Sequence, residues 1–234
     1  MRLKINFSKN LTSVRINNQS DVNYFIYTKC LGKNNKYHNA KNDYSISNLY
    51  GGKLNLDKKT LSFNNGGFII ISSKNEEFLN DIIKGLYNND VLFNGMKFIN
   101  IEFISENFYD GWNYFSTLSP FIIKKYISKD KYDFYTFNDD NFNEIITERT
   151  KNKLLKINNK LNLSEFKIEI LKHNKHKIKK ILIKNVKNYA NQCQINIFCK
   201  KEVAELIYNL GIGQSTGCGF GTIYKTENHN KYKI

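Results

Sequence analysis

The chain has 234 residues and a mass of 27.5 kDa, which suffices for one large hydrophobic core or two small ones and argues against a third domain. Hydrophobic residues make up 41% of the sequence, enough to form an ordered core. The formal net charge of +15 favours a polyanionic partner, and most of the excess lies in residues 116–234.

Targeting and redox signals are weak. The first ten residues contain no apolar signal segment, and the longest apolar run, Phe68 to Ile71, is too short to cross a bilayer. The four cysteines lack the spacing of a disulfide framework: Cys30, Cys193, Cys199 and Cys218. We therefore expect a soluble cytoplasmic protein with reduced thiols and no membrane partner.

The first half of the chain predicts the element order strand, helix, strand, strand, helix, strand. The second predicted helix is the clearest, because apolar residues recur every three or four positions from Phe78 to Leu86. In chain order the predicted elements are a strand over 2–7, a helix from an N-cap at Asp21 to a stop at Gly32, extended segments over 44–56 and 60–73, a helix over 75–89 and a strand over 96–104.

The second half repeats this order. Its predicted elements are a strand over 118–126 with an extension over 132–137, a helix over 138–157 opened by Asn138 or Asp139, strands within 166–173 and 177–199, a helix over 201–210 and a strand over 218–225. This pattern predicts an α+β protein of two tandem ferredoxin-like domains, over residues 1–115 and 116–234. Such sheets expose one face, and that face commonly binds RNA.

The segment Asn209 to Tyr224 holds five glycines between the last helix and the last strand. A serine-hydrolase turn is excluded, because Ser215 would need a strand before it and a helix after it. A dinucleotide loop lacks its third glycine, since Thr216 stands there, and a P-loop lacks its lysine. A loop that brings backbone amides close to another polyanion remains.

Residues 167–187 carry eight lysines against one glutamate. The run is either a solvated face or a phosphate-binding connection between two strands. The lysines that would contact phosphates are Lys172, Lys175, Lys177, Lys179 and Lys180.

At this point the residues resemble a family. GIGQSTGCGFG, over 211–221, resembles the glycine-rich loop of the CRISPR-associated endoribonucleases of the Cas6 type, in the RAMP superfamily, which cut precursor CRISPR RNA at each repeat. YFIYTKC (24–30) resembles the family's first helix, KYHNAKNDYSIS (36–47) its histidine-bearing segment, and FSTLSPFII (115–123) the start of its second domain. One departure is that members often carry a lysine or arginine in the loop, where this chain has Gln214 to Thr216.

The resemblance implies a metal-independent endoribonuclease without cofactor that cuts CRISPR repeat RNA once. The fragments would carry a 5′-hydroxyl and a 2′,3′-cyclic phosphate. A non-catalytic RNA-binding subunit of a CRISPR ribonucleoprotein is the main alternative, and a nucleotide-binding enzyme is a distant third. A multisubunit CRISPR effector complex as a further partner, and the choice between monomer and homodimer, stay open.

Metal-free RNA cleavage needs a base, an acid and a group that stabilises the phosphate charge. Of four histidines, His38 is the candidate for proton transfer, because it follows the first helix in a segment that the resemblance marks. The resemblance also implies Tyr27 and Lys41, with Lys36 as an alternative to Lys41. In the loop we expect RNA contacts at Gly211, Gly213, Gln214, Ser215, Thr216, Gly217, Gly219 and Gly221. Some of its glycines should have positive φ angles. Gly213, Gly219 and Gly221 should serve RNA binding, so that a β-branched residue at position 219 or 221 weakens binding and changes folding much less.

A zinc site is disfavoured. His173 and His176 followed by Cys193 and Cys199 resemble a set of ligands. However, the two cysteines alternate with isoleucines at 195 and 197, which places both thiols on the core face of one strand.

Overall fold

The structure is a computed structural model and describes residues 1–37, 43–128, 131–170, 176–183 and 186–227. Within these residues the chain forms two four-stranded antiparallel sheets, and each sheet belongs to a unit with its own helices and core. The predicted α+β class with two ferredoxin-like units is confirmed. No described helix is long and apolar enough to cross a membrane.

The first unit has its sheet in the order β3-β6-β1-β7, and a small sheet, β2-β5-β4, lies beside it. Its elements are β1 (Arg2–Phe7), β2 (Val14–Arg15), α1 (Gln19–Tyr24), a π-helix (Phe25–Cys30) that continues α1, β3 (Tyr44–Ile46), β4 (Lys53–Asn55), β5 (Thr60–Ser62), β6 (Gly67–Ser73), α2 (Glu76–Asn88) and β7 (Phe98–Phe103).

Side-chain hydrogen bonds explain where the helices of this unit begin. The helix α2 begins as predicted, because the Asn75 side chain caps it by accepting a hydrogen bond from the Phe78 amide at 3.1 Å. The predicted N-cap at Asp21 is wrong. The helix α1 begins at Gln19 with its N-cap at Asn18, three residues before the predicted cap, and the Asp21 carboxylate instead accepts a hydrogen bond from Arg15 Nε at 2.8 Å.

The second unit repeats the order of the first as β11-β14-β8-β15 and adds two hairpins, β9–β10 and β12–β13. Its elements are β8 (Gly111–Thr117), β9 (Ile123–Ser128), β10 (Lys131–Tyr135), α3 (Phe142–Ile157), β11 (Lys167–Glu169), β12 (Lys177–Ile183), β13 (Val186–Gln192), β14 (Gln194–Cys199), α4 (Lys201–Leu210), a 3₁₀ turn (Thr216–Cys218) and β15 (Ile223–Lys225).

Two predictions for this unit are wrong. Its first sheet strand is β8, which pairs with β14 and β15, whereas residues 118–126 lead into the inserted hairpin. Residue 115, the predicted end of the first domain, therefore lies inside a strand of the second sheet. The helix α3 has its N-cap at Asn141, because the predicted N-cap Asp139 accepts the Thr136 amide at 2.6 Å in the preceding turn.

The two units are joined by a buried arginine. Arg2 is 2% exposed, and its guanidinium lies 3.5 Å from the centre of the Tyr208 ring. It donates hydrogen bonds to the carbonyl oxygens of Ile223, at 2.6 Å, and Tyr208, at 2.5 Å. Hydrogen bonds from a charged donor are stronger than neutral ones, so these contacts hold the first unit against the second, although Arg2 Nε is buried without a partner among the described residues.

Candidate nucleic-acid interface

The glycine-rich loop, residues 211–222, lies where the two units meet. It leaves α4 and reaches the first unit, where the Gly217 carbonyl oxygen accepts a hydrogen bond from the Tyr27 hydroxyl at 2.9 Å. On the side of its own unit, Lys153 of α3 donates hydrogen bonds to the carbonyl oxygens of Leu210 and Gly211, both at 3.1 Å. Thus the first helix of each unit holds the loop.

Four of the five glycines of this loop have the predicted positive φ angle. Positive φ angles occur at Gly211, Gly213, Gly219 and Gly221. The physical reason is internal, because a Cβ on Gly221 would lie 1.9 Å from the Ile212 carbonyl oxygen and one on Gly211 would lie 2.6 Å from the Gly221 carbonyl oxygen. The expectation that a larger residue at Gly221 would change folding only slightly is therefore wrong.

The accessible part of the loop is its middle. Gly213, Gln214 and Ser215 are partly exposed, whereas Gly217 is buried and Thr216 is 1% exposed. The Gln214 side chain accepts a hydrogen bond from the Lys124 amide at 2.6 Å, which ties this part of the loop to β9. Cys218 is exposed as well, so a ligand on the loop would first meet residues 213–215 or Cys218.

Tyr27 is brought to the loop by the π-helix, in which the Leu31 amide donates to the carbonyl oxygen of Ile26 at 3.0 Å. Such turns are frequent at functional sites. The Tyr27 hydroxyl also lies 2.8 Å from the Tyr44 hydroxyl. Burial, and then the neighbouring Tyr44, raise the pKa of Tyr27 well above its ordinary range. Tyr27 therefore stays protonated and can donate a hydrogen bond but cannot act as a base.

His38 and Lys41 lie outside the described residues. The chain enters that segment from Tyr37, whose carbonyl oxygen lies 3.5 Å from the Tyr44 hydroxyl, and the described residues resume at Asp43. Tyr37, the last described residue before this segment, is thus next to the tyrosine pair. Lys36, the alternative to Lys41, is exposed and its ammonium pairs with Glu77 of α2.

The basic hairpin β12–β13 presents its lysines to solvent. Lys177, Lys179 and Lys180 are exposed, while Lys172 and Lys175 lie outside the described residues. Lys180 stands opposite Tyr189, a ring that is 40% exposed. The alternation of cation and aromatic ring suits a single-stranded nucleic acid, in which phosphates and base faces are both accessible.

Sequence reasoning missed two features of this region. The hairpin β9–β10 places cations over aromatic rings, with Lys124 Nζ 4.4 Å from the centre of the Tyr132 ring. In the sequence, the Lys-Lys-Tyr run at 124–126 indicates this basic aromatic surface, but the prediction placed the run in a strand of the main sheet. Lys153 was the other omission, because one lysine in a lysine-rich helix gives no sign that it is partly buried against the loop.

The described residues hold no group of three or more histidine, cysteine, aspartate or glutamate side chains that could bind a metal ion. Cys193 and Cys199 are 5% and 6% exposed in the core of the second unit, as predicted. His176 Nε2 accepts a hydrogen bond from the Gln194 amide at 3.2 Å, and His173 lies outside the described residues.

Comparison with known proteins decides the family. The sequence profile of CRISPR associated protein Cas6, C-terminal, matches residues 104–224, more than half of the chain. The chain belongs to the Cas6 family. The match includes the whole glycine-rich loop and both inserted hairpins of the second unit.

Solved structures of the Cas6 type share the fold over nearly the whole chain. A structure described as a Cas6-related gene product from Pyrococcus furiosus has 19% identity and a TM-score of 0.83, covering 98% of this chain and 99% of its own. One described as CRISPR associated protein Cas6 has 22% identity and a TM-score of 0.78, covering 97% and 99%. One described as an RAMP protein binding different RNA substrates has 19% identity and a TM-score of 0.83, covering 97% and 100%. No match was found among curated protein sequences.

Proposed function

We propose that this chain is a metal-independent endoribonuclease that cuts precursor CRISPR RNA within its repeats. Membership of the Cas6 family supports the substrate class. The observation that carries the proposal is the contact between Tyr27 and the glycine-rich loop, with 2.9 Å between the tyrosine hydroxyl and the Gly217 carbonyl oxygen. It brings a proton donor of the first unit to the part of the second unit that the sequence predicts to bind RNA.

The proposed chemistry is intramolecular attack of a ribose 2′-hydroxyl on the neighbouring phosphate. His38 transfers the protons and Lys41 stabilises the charge that develops on the phosphate. Tyr27 turns its single hydroxyl proton from the Gly217 carbonyl oxygen to an oxygen of the reacting group when the RNA is bound. The bond from phosphorus to the 5′-oxygen breaks as the bond to the 2′-oxygen forms. The products are a 2′,3′-cyclic phosphate on one fragment and a 5′-hydroxyl on the other.

RNA binding is assigned to the accessible loop residues and the basic hairpin. The partly exposed Gly213, Gln214 and Ser215 offer backbone and side-chain donors, and the exposed lysines of β12 offer charge to phosphates. Similar structures include one described as a Cas6 product complex, with 9% identity and a TM-score of 0.66. The buried glycines shape this surface and do not themselves touch the RNA.

The test is cleavage of repeat RNA from the protein's own organism in the presence of EDTA. We expect one cut per repeat with the two end groups named above, read by mass spectrometry. A repeat with a single 2′-deoxynucleotide on the 5′ side of the cut is the matched control, and it should bind equally well but stay intact. Strict dependence on added Mg²⁺ would contradict the mechanism. Tight binding of the natural repeat without any cleavage would instead support the non-catalytic RNA-binding subunit.

A further inference from the structure

A cavity of about 310 Å³ lies between α3 and the glycine-rich loop. This volume is at the lower end of that of small-ligand sites, which runs from roughly 300 to 1,000 Å³. Its lining includes Arg149, Thr150, Lys153 and Lys156 of α3 together with Gln214 and Ser215 of the loop. Gly217, which binds the Tyr27 hydroxyl, is only two residues from Ser215.

The lining is strongly basic. Three cationic side chains contribute to it and no carboxylate does. Arg149, Lys153 and Lys156 follow each other at intervals of four and three residues, which places them on one face of the helix. A cavity with this lining favours an anionic ligand.

A second observation points to a ligand. Thr150 is 4% exposed, and its hydroxyl is buried without a hydrogen-bond partner among the described residues. Buried polar groups in proteins are nearly always hydrogen-bonded, and leaving one unpaired costs roughly 1–3 kcal/mol. A bound oxygen acceptor in the cavity would satisfy this hydroxyl.

Lys153 supports the same interpretation. Its ammonium donates to carbonyl oxygens at both ends of the loop's first turn, Leu210 at 3.1 Å and Gly213 at 3.4 Å. Burial lowers the pKa of Lys153 to about 7. The other ionisable groups of the lining are Arg149 and Lys156, which are also cationic. A bound anion would supply the missing negative charge and favour the protonated lysine.

We propose that this cavity binds one phosphate group of the RNA strand that crosses the glycine-rich loop, with Arg149 and Thr150 donating hydrogen bonds to it. The proposal rests on the proposed function, because it takes the ligand to be the repeat RNA. A phosphate fits the basic lining and the donor hydroxyl, and the shared loop joins the cavity to the Tyr27 contact. The site would position the strand and take no part in bond cleavage.

The test compares Arg149→Gln and Thr150→Val with Lys151→Gln. Lys151 is the matched control, because it lies on α3 but pairs with Glu148 and does not line the cavity. On a repeat RNA blocked by a 2′-deoxynucleotide, we expect Arg149→Gln to weaken binding about 10- to 100-fold and Thr150→Val about 2- to 10-fold. Lys151→Gln should change affinity by less than about threefold, as surface charges do. Lys151→Gln should also cleave an unblocked repeat at the wild-type rate.

Thr150→Val keeps the test independent of folding. Because its hydroxyl has no partner in the described structure, the valine variant should melt at the wild-type temperature or above it. A series of repeat RNAs, each with one uncharged methylphosphonate, then locates the phosphate. One position should weaken binding by wild-type protein and have no further effect on Arg149→Gln. The proposal would be overturned if methylphosphonate substitution weakened RNA binding by wild type and Arg149→Gln to the same extent at every position of the repeat.

A second measurement separates this site from the proposed function. Inorganic phosphate and a nucleoside 5′-monophosphate are tested for thermal stabilisation of wild-type protein and Arg149→Gln. Stabilisation that Arg149→Gln abolishes supports a phosphate site, even if the wild-type protein fails to cut the repeat. The ligands could stabilise the protein while no methylphosphonate position distinguishes wild type from Arg149→Gln. That result would assign the cavity to a free nucleotide and overturn its assignment to RNA.

Discussion

The two units differ most at one topologically equivalent connection, between the second helix and the last strand of each sheet. In the first unit this connection, residues 89–97, contains one glycine and closes within its own unit, with Leu92 amide to Met96 carbonyl at 2.9 Å and Leu11 amide to Asn94 carbonyl at 2.8 Å. In the second unit the connection is the glycine-rich loop, which contacts Tyr27 and Tyr44 of the other unit. The same position in the fold is thus a simple turn in one unit and part of the candidate site in the other.

The first helices of the units differ in a complementary way. In the first unit the helix turns into a π-helix and presents Tyr27, while in the second unit it stays α-helical and presents Lys153. Both side chains bind carbonyl oxygens of the loop. The first unit supplies the candidate groups for proton transfer, and the second supplies the loop and most of the positive charge.

Removing the proposed proton-transfer group of the first unit should have the largest effect on the cleavage rate. We expect His38→Ala to lower the single-turnover cleavage rate by about 10² to 10⁴. RNA affinity should change by only a few-fold, because the binding charge lies in the second unit. His229→Ala, in the C-terminal tail, is the control and should cleave normally. Near-normal cleavage by His38→Ala would mean that the first unit contributes something other than this histidine.

The loop backbone should show the next largest effect, this time on folding. Gly221→Ala introduces a Cβ 1.9 Å from the Ile212 carbonyl oxygen at a φ of +68°. We expect a loss of about 3 kcal/mol or more in the free energy of unfolding, from backbone strain and overpacking together.

Gly32→Ala is the matched control for this substitution. Its φ is +84°, and a Cβ there would meet nothing within 4 Å. It should therefore cost only the strain, about 1 kcal/mol. Urea unfolding of both variants measures the difference. Equal costs would show that the loop relaxes around an added methyl group and is not tightly packed.

The sequence predicted the regular parts of this structure and failed where tertiary contacts decide. The helix α2 was predictable because its apolar face and its Asn75 cap agree. The strand β8 was missed because its buried face includes polar residues, Asn113 at 2% exposure and Thr117 at 6%, which obscure the alternation.

The candidate site shows the same limit. The glycine-rich loop was recognisable from local sequence, whereas Tyr27 was singled out only by the family resemblance, and the structure places the two in contact. The burial of Lys153 follows only from the packing of α3 on a loop some sixty residues later in the chain. No local pattern could indicate it, since an exposed lysine and a buried one have the same sequence context in a basic helix.

Removing the Tyr27 hydroxyl should have the smallest effect and should show whether the contact between the units serves chemistry or only shape. If the hydroxyl donates to the reacting phosphate, Tyr27→Phe should lower the single-turnover rate about 10- to 100-fold, the value of one hydrogen bond to a charged group. Because the pKa of Tyr27 is raised by burial, the ratio of wild-type to variant rates should stay constant from about pH 6 to about pH 9. Tyr44→Phe is the control, since the Tyr44 hydroxyl is 2.8 Å from that of Tyr27 and the residue is 2% exposed. It should cost about 1 kcal/mol in stability with little change in rate. If both variants lost the same rate, the tyrosine pair would act by holding the loop, and the first unit would contribute geometry at this point of the site rather than a proton donor.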